Sequence, residues 1–278
     1  MANESDSNWL FEQAVALREK GKHKEAADIF LGLATGADRP LDKAGMLLNV
    51  AHASKEMGQF DLARSHLEAT RDLLRLPSGI TLSNVDEENR RGLVIGVELE
   101  DARIFAGEHK LQEAIDKLDL LVAKHRSDLL KPNFADINQT VQRDRAFVLA
   151  DLGRFKEALS VLDELYSTDP HERWILFYLG YCYLCTGKYV DAQLKLVEAI
   201  QSGLPEEFEG RAHCMLGAAC YELRDFARAK LELQKGVETA SLKFIKEAGI
   251  WSRLRDACLS LGLRAEAERY ASLASKPS

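Results

Sequence analysis

Apolar residues along this chain recur at helical spacing, three and four positions apart, and polar residues fill the intervening faces. The pattern predicts helices over about 8–20, 23–35, 41–57, 60–75, 85–106, 110–125, 134–152, 155–167, 171–186, 189–202, 206–223, 226–240, 243–261 and 264–274. A short motif joins them in pairs: a turn residue, often glycine, and a few residues later an alanine. It reads Gly21 to Ala26, Gly58 to Ala63, Gly153 to Ala158, Gly187 to Ala192 and Gly262 to Ala267. Two copies are degenerate. Gly107 to Ala114 carries two extra residues, and Arg224 to Ala229 has no glycine. The seven alanines are spaced by 37, 51, 44, 34, 37 and 38 residues.

The unit has a simple physical logic. Glycine closes one amphipathic helix where the backbone turns to positive φ, and the small alanine lets the second helix approach the first. Pro40, Pro77, Pro132, Pro170 and Pro205 fall between hairpins and Pro277 near the end, so no predicted helix interior carries proline. Composition agrees: Leu and Ala total 76 residues against 22 for Val and Ile, which favours helix over sheet.

The stretch from Trp174 to Ala199 resembles a tetratricopeptide repeat. Leu176, Leu179, Gly180 and Tyr183 stand on its first helix, Gly187 and Tyr189 in its turn, and Ala192, Leu196 and Ala199 on its second. Asp169-Pro170 matches the boundary closing the preceding repeat, and the 34-residue step from Ala158 to Ala192 is that family's period. The resemblance runs from about Trp9 to Ala274. It implies an all-α fold, a right-handed α-solenoid of about seven helix-turn-helix repeats, with one continuous core. The expected organisation is an N-terminal tail over 1–7, a single repeat domain over 8–275 and a tail over 276–278. The third repeat, about 77–130, departs from the pattern. Pro77-Ser-Gly79 begins a polar loop there, and Ser83-Asn-Val-Asp86 resembles a capping box before a long helix reaching about Ala106. Arg145 and Arg255 stand where apolar or small residues are expected.

Charge and chemistry narrow the function. The net charge of −7 disfavours a nucleic-acid binder. No apolar run reaches the ~20 residues of a membrane span, and the first residues lack the basic and apolar regions of a secretory signal, so a cytoplasmic setting is expected. Cys182 and Cys185 have zinc or redox spacing without a second ligand pair, and Cys214, Cys220 and Cys258 replace small apolar residues; all five read as buried and inert, with no metal and no cofactor. The histidines, 23, 52, 66, 109, 125, 171 and 213, are scattered, and no HExxH, GxSxG, P-loop or GxGxxG occurs. No residue supports an enzyme.

An aromatic cluster is the candidate site. Trp174, Phe177, Tyr178 and Tyr181 lie off the Leu176–Leu179–Tyr183 stripe of the same helix. The resemblance implies that such positions line the concave face and hold peptides. Arg143, Phe147, Arg211, Tyr221, Arg253 and Asp256 occupy comparable positions in neighbouring repeats, and aromatics with arginine are the types enriched at binding hot spots. Packing between repeats is the competing explanation for these rings. A carboxylate clamp known in the family is rejected: Asn49 suits its middle position, but Phe11 and Val15 stand where Lys and Asn are required. The expected function is a non-enzymatic scaffold binding a peptide or helical segment of a partner protein. The alternative is a structural or self-associating subunit that uses a convex or terminal-repeat surface.

Overall fold

The structure, a computed structural model, describes residues 4–75 and 81–275. Its described residues hold helices and no strand. The chain divides into two compact units, residues 1–148 and 149–278. In the first, α1 (Glu4–Glu19) pairs with α2 (His23–Gly36), α3 (Pro40–Glu56) with α4 (Phe60–Leu74), and α5 (Asn84–Gly107) with α6 (Leu111–Lys124). A short α7 (Arg126–Leu129) and a 3-10 turn (Pro132–Phe134) lead into α8 (Ala135–Asp151), along which the division between units falls. The second unit continues with α9 (Phe155–Thr168) and pairs α10 (Arg173–Cys185) with α11 (Tyr189–Gln201) and α12 (Glu206–Glu222) with α13 (Phe226–Thr239). There follow α14 (Leu242–Glu247) and the pair of α15 (Ile250–Ser260) with α16 (Arg264–Ala274).

All seven hairpin turns close in the same way. The residue after the turn donates its N–H to a carbonyl five residues back, from Lys22 to Leu17, Gln59 to Ser54, Lys110 to Phe105, Arg154 to Leu149, Lys188 to Tyr183, Asp225 to Cys220 and Leu263 to Cys258. This is the Schellman closure, and it requires one residue at positive φ. Glycine supplies it at 21, 58, 153, 187 and 262, while His109 (φ 61°) and Arg224 (φ 64°) supply it in the third and sixth repeats. The third turn therefore has no insertion: Gly107 ends α5, and His109 takes the turn position. His109→Gly and Arg224→Gly are each expected to raise stability by about 0.5–1 kcal/mol, because glycine removes the left-handed strain and returns part of the gain as chain entropy. Urea unfolding of the two variants checks this, and a lower midpoint for both would contradict it.

Elsewhere the sequence-based boundaries shift modestly. Helix α1 begins at Glu4, inside the expected N-terminal tail. Residues 1–3, the Pro77-Ser-Gly79 segment and the tail over 276–278 lie outside the described residues. The capping box forms: Ser83 Oγ accepts the Asp86 N–H at 3.1 Å and donates to Asp86 Oδ2 at 2.8 Å. It starts a helix of 24 residues, against 13 for α10. The helix expected over 243–261 is broken at Gly249, whose φ of 64° separates α14 from α15. Arg145 is held by Asp119 at 2.6 Å, and Arg255 by Asp256 at 2.7 Å, which accommodates charge at both positions.

Each unit has its own core. Ala63, Leu67, Val97 and Ile104 are buried in the first, and Leu176, Leu196, Leu216 and Ala229 in the second. Close approach within hairpins depends on glycine: a Cβ on Gly180 would lie 2.6 Å from Leu196 Cγ, and one on Gly217 would lie 2.6 Å from Leu233 Cγ. The first unit also buries charge. Glu100 of α5, 3% exposed, meets His52 Nδ1 at 3.0 Å, Lys55 Nζ at 3.5 Å and Arg103 at 3.0 Å. Arg103 in turn binds Asp144 of α8.

Candidate functional site

Helix α10 starts where the Glu172 carboxylate accepts the Ile175 N–H at 2.7 Å. Ile175, Leu176, Leu179 and Cys182 are then buried, so α10 is a core helix covered on more than one side. Its aromatic residues form one connected run. Phe177, 5% exposed, meets Tyr178 edge-on at 5.5 Å, and Tyr178 meets Tyr181 at 6.4 Å. Tyr181 abuts Phe155 of α9 at 5.7 Å. At the other end Trp174 and Phe177 both stand against Phe208 of α12, at 4.7 and 5.8 Å. Trp174, Tyr178 and Tyr181 stay half-buried. Burial pushes the Tyr181 hydroxyl up to about 12, so the ring presents a neutral hydrogen-bonding group at neutral pH.

Arg211 joins this run through Phe208. Its guanidinium lies 5.0 Å from the Phe208 ring and 5.4 Å from that of Phe244, and it binds Glu207 Oε1 at 2.6 Å. Cation–π contact and the ion pair together hold it. Tyr221, also on α12, packs edge-on against Phe226 at 5.6 Å. Arg253 donates to the Ala248 carbonyl, and Asp256 pairs with Arg255. Arg143 and Phe147 stand on the part of α8 that belongs to the first unit, with Arg143 Nε 3.9 Å from Asp144. The aromatic run of α10 and Arg211 thus come together, while Arg253 serves a local backbone cap. Phe155, Phe208 and Phe244 are neighbours of this run that reading α10 alone misses. For Phe208 the visible signal is its spacing of three from Arg211 on one helix.

The other reactive groups are engaged or suppressed. Burial pushes the Cys182 and Cys214 thiols up to about 12, far from a nucleophilic thiolate. Cys220 and Cys258 are buried too, whereas Cys185 is exposed, against the expectation that all five are covered. His213 Nδ1 lies 2.7 Å from Glu232, and this hydrogen bond outweighs burial in holding the Glu232 carboxyl below its usual range. His125 binds Glu98 at 3.1 Å. Asn49, the residue that suited the carboxylate clamp, accepts from Arg18 at 2.6 Å and donates to the Gly45 carbonyl. No three His, Cys, Asp or Glu side chains gather as a metal cluster among the described residues, and no described helix is long and apolar enough to cross a membrane.

Antiparallel helix pairs closed by one repeated turn define an α-helical repeat protein. Residues 144–206 match the tetratricopeptide repeat family. No curated protein matches its sequence. Its fold is similar to that of a chain in the APC/C hetero-tetramer Cut9-Hcn1, with a TM-score of 0.68 at 16% identity over 92% of this chain and 43% of that one. The chain therefore spans less than half of that relative. The quorum sensor NprR from B. thuringiensis, in its apo form, is similar with a TM-score of 0.57 at 15% identity, covering 96% of this chain and 86% of that one. NprR in complex with its cognate peptide NprX gives a TM-score of 0.55 at 14% identity over 100% and 79% of the two chains. At these identities the likeness is one of fold.

Proposed function

We propose that the protein is a non-enzymatic interaction scaffold that takes a peptide or helical segment of a partner protein on the inner, concave face of its first-helix surfaces. The observation that carries this reading is the half-buried run of Trp174, Tyr178 and Tyr181 on α10, a helix whose core positions are already filled. Half-covered rings on a rigid helix offer apolar area at low entropic cost to a ligand that completes their burial. Phe177 supports the surface from beneath, and Arg211 and Tyr221 extend it along α12. Arg253 on α15 belongs to the same proposal within the second unit, and Arg143 and Phe147 on α8 are proposed separately as contact residues of the first. NprR, a protein of similar fold, has been solved with its cognate peptide. A cytoplasmic setting belongs to the same proposal.

Tyr178→Ala and Tyr221→Ala test the reading against a partner recovered by pull-down. Each variant is expected to keep its helical circular dichroism and lose about 2 kcal/mol of binding, roughly thirtyfold in Kd. Unchanged affinity in both folded variants would move the contact to another face.

A further inference from the structure

The long α5 does more than lengthen a hairpin. Together with the start of α3 and the 3-10 turn before α8 it encloses a cleft of about 580 Å³ within the first unit. That volume lies in the range of small-ligand and side-chain pockets. The floor is apolar: Leu48 of α3, Leu93 of α5, and Phe134 and Ile137 beside them. Asp42, Glu88, Asn89 and Asn133 stand at the rim.

Two features give the cleft a direction. The first is the residue at its floor. Gly92 lies in the interior of α5, where alanine would favour the helix more. A Cβ there would meet Ile137 at 3.5 Å and Phe134 at 3.7 Å, which is ordinary contact, so packing alone does not require glycine. By contrast, a Cβ on Gly96, one turn further on, would lie 2.8 Å from Leu48. The missing side chain at position 92 leaves open space above Phe134 and Ile137. The second feature is charge. Arg39, the cation in the lining, is already bound to Asp86 and lies 3.9 Å from Asp42. Glu88 is exposed and makes no ion pair among the described residues, so the rim is acidic on balance. The first unit as a whole carries 20 Lys and Arg against 25 Asp and Glu.

We infer that this cleft is a second docking site, which takes one bulky apolar side chain of a partner peptide whose neighbouring residues are basic. The apolar side chain would cover Leu48, Leu93, Phe134 and Ile137. The basic flank would meet Glu88 and Asp42, whose attraction is long-ranged enough to favour cationic over anionic sequences at low salt. The site lies on the first unit and does not use the aromatic run of α10, so either can fail alone.

The test measures fluorescence anisotropy of three labelled peptides of equal length with the purified full chain. One has a central Phe between lysines, one the same Phe between glutamates, and one a central Ser between lysines. The Phe–Lys peptide is expected to bind at least about tenfold tighter than the other two. Gly92→Leu, which fills the floor, and Glu88→Lys, which reverses the rim, are each expected to weaken it about tenfold or more. Because Glu88 is exposed, its variant carries the test even if Gly92→Leu fails to fold. Equal binding of the three peptides, or full binding by a folded Glu88→Lys chain, overturns the assignment.

Discussion

Replacing Arg103 with alanine is expected to cost about 3–5 kcal/mol of stability, the cost of stranding buried charge. Arg103 lies between Glu100, which it meets at 3.0 Å, and Asp144, and the two carboxylates expose only 4% and 13% of their side-chain area. Without the guanidinium, Asp144 loses its main counter-charge. Glu100 keeps His52 and Lys55. A double variant, Arg103→Met with Asp144→Leu, is expected to be more stable than Arg103→Ala, because it removes both partners and leaves apolar packing. The pH dependence follows from Glu100. Burial pushes its carboxyl up, but the hydrogen bond from His52 and the charges of Arg103 and Lys55 outweigh burial and hold it far below the usual carboxylate range. A carboxyl depressed in the folded state contributes stability above its unfolded value of about 4.3, and that contribution is lost as pH falls below it. Arg103→Ala removes one of those charges, so its acid unfolding should begin at a higher pH than that of the wild type. Urea titrations at neutral pH and at about pH 4 measure both effects. A cost under about 1 kcal/mol at neutral pH would show that water reaches the network and screens it.

That network was invisible in the sequence because its members, His52, Glu100, Arg103 and Asp144, come from three helices and form no local motif. The hairpins were legible, since each is written in a short stretch: amphipathic helix, turn, alanine, amphipathic helix. Two turns were less so. Gly107 suggests itself as the turn residue because glycine adopts positive φ at least cost, yet closure of the hairpin selects a position in the helix pair and not a residue type. In each of the five glycine turns that position lies five residues before the alanine. Counting back five from Ala114 and Ala229 gives His109 and Arg224, the two residues found there. The break at Gly249 is not legible in the sequence because an isolated glycine inside an apolar-periodic stretch is tolerated within a helix. At the candidate site the aromatic stripe of α10 was plain, but not which rings are covered. Cover comes from Phe155 and Phe208, which lie on other helices, so exposure is a property of tertiary packing.

The difference in cover divides the aromatic residues of α10 by role, and truncation should separate them. Phe177→Ala is expected to destabilise the second unit by about 3–5 kcal/mol, the usual cost of opening a cavity where a buried aromatic stood. Phe177 is 5% exposed and meets three rings edge-on: Tyr178 at 5.5 Å, Phe208 at 5.8 Å and Trp174 at 6.4 Å. Each such pair adds about 0.5–1.5 kcal/mol beyond area burial, and the truncation loses all three together. The neighbours are held out of the gap by their other contacts: Phe208 meets Trp174 and Arg211, and Leu176 and Leu179 are buried in the core. Tyr178→Ala removes a half-buried ring whose outer part already faces solvent, so it should cost clearly less stability while carrying the binding defect. Urea unfolding of the two variants side by side decides the point. Equal costs would mean that Tyr178 is as much core as Phe177, and the surface left for a partner would shrink to Trp174 and Tyr181 on α10 with Arg211 and Tyr221 on α12.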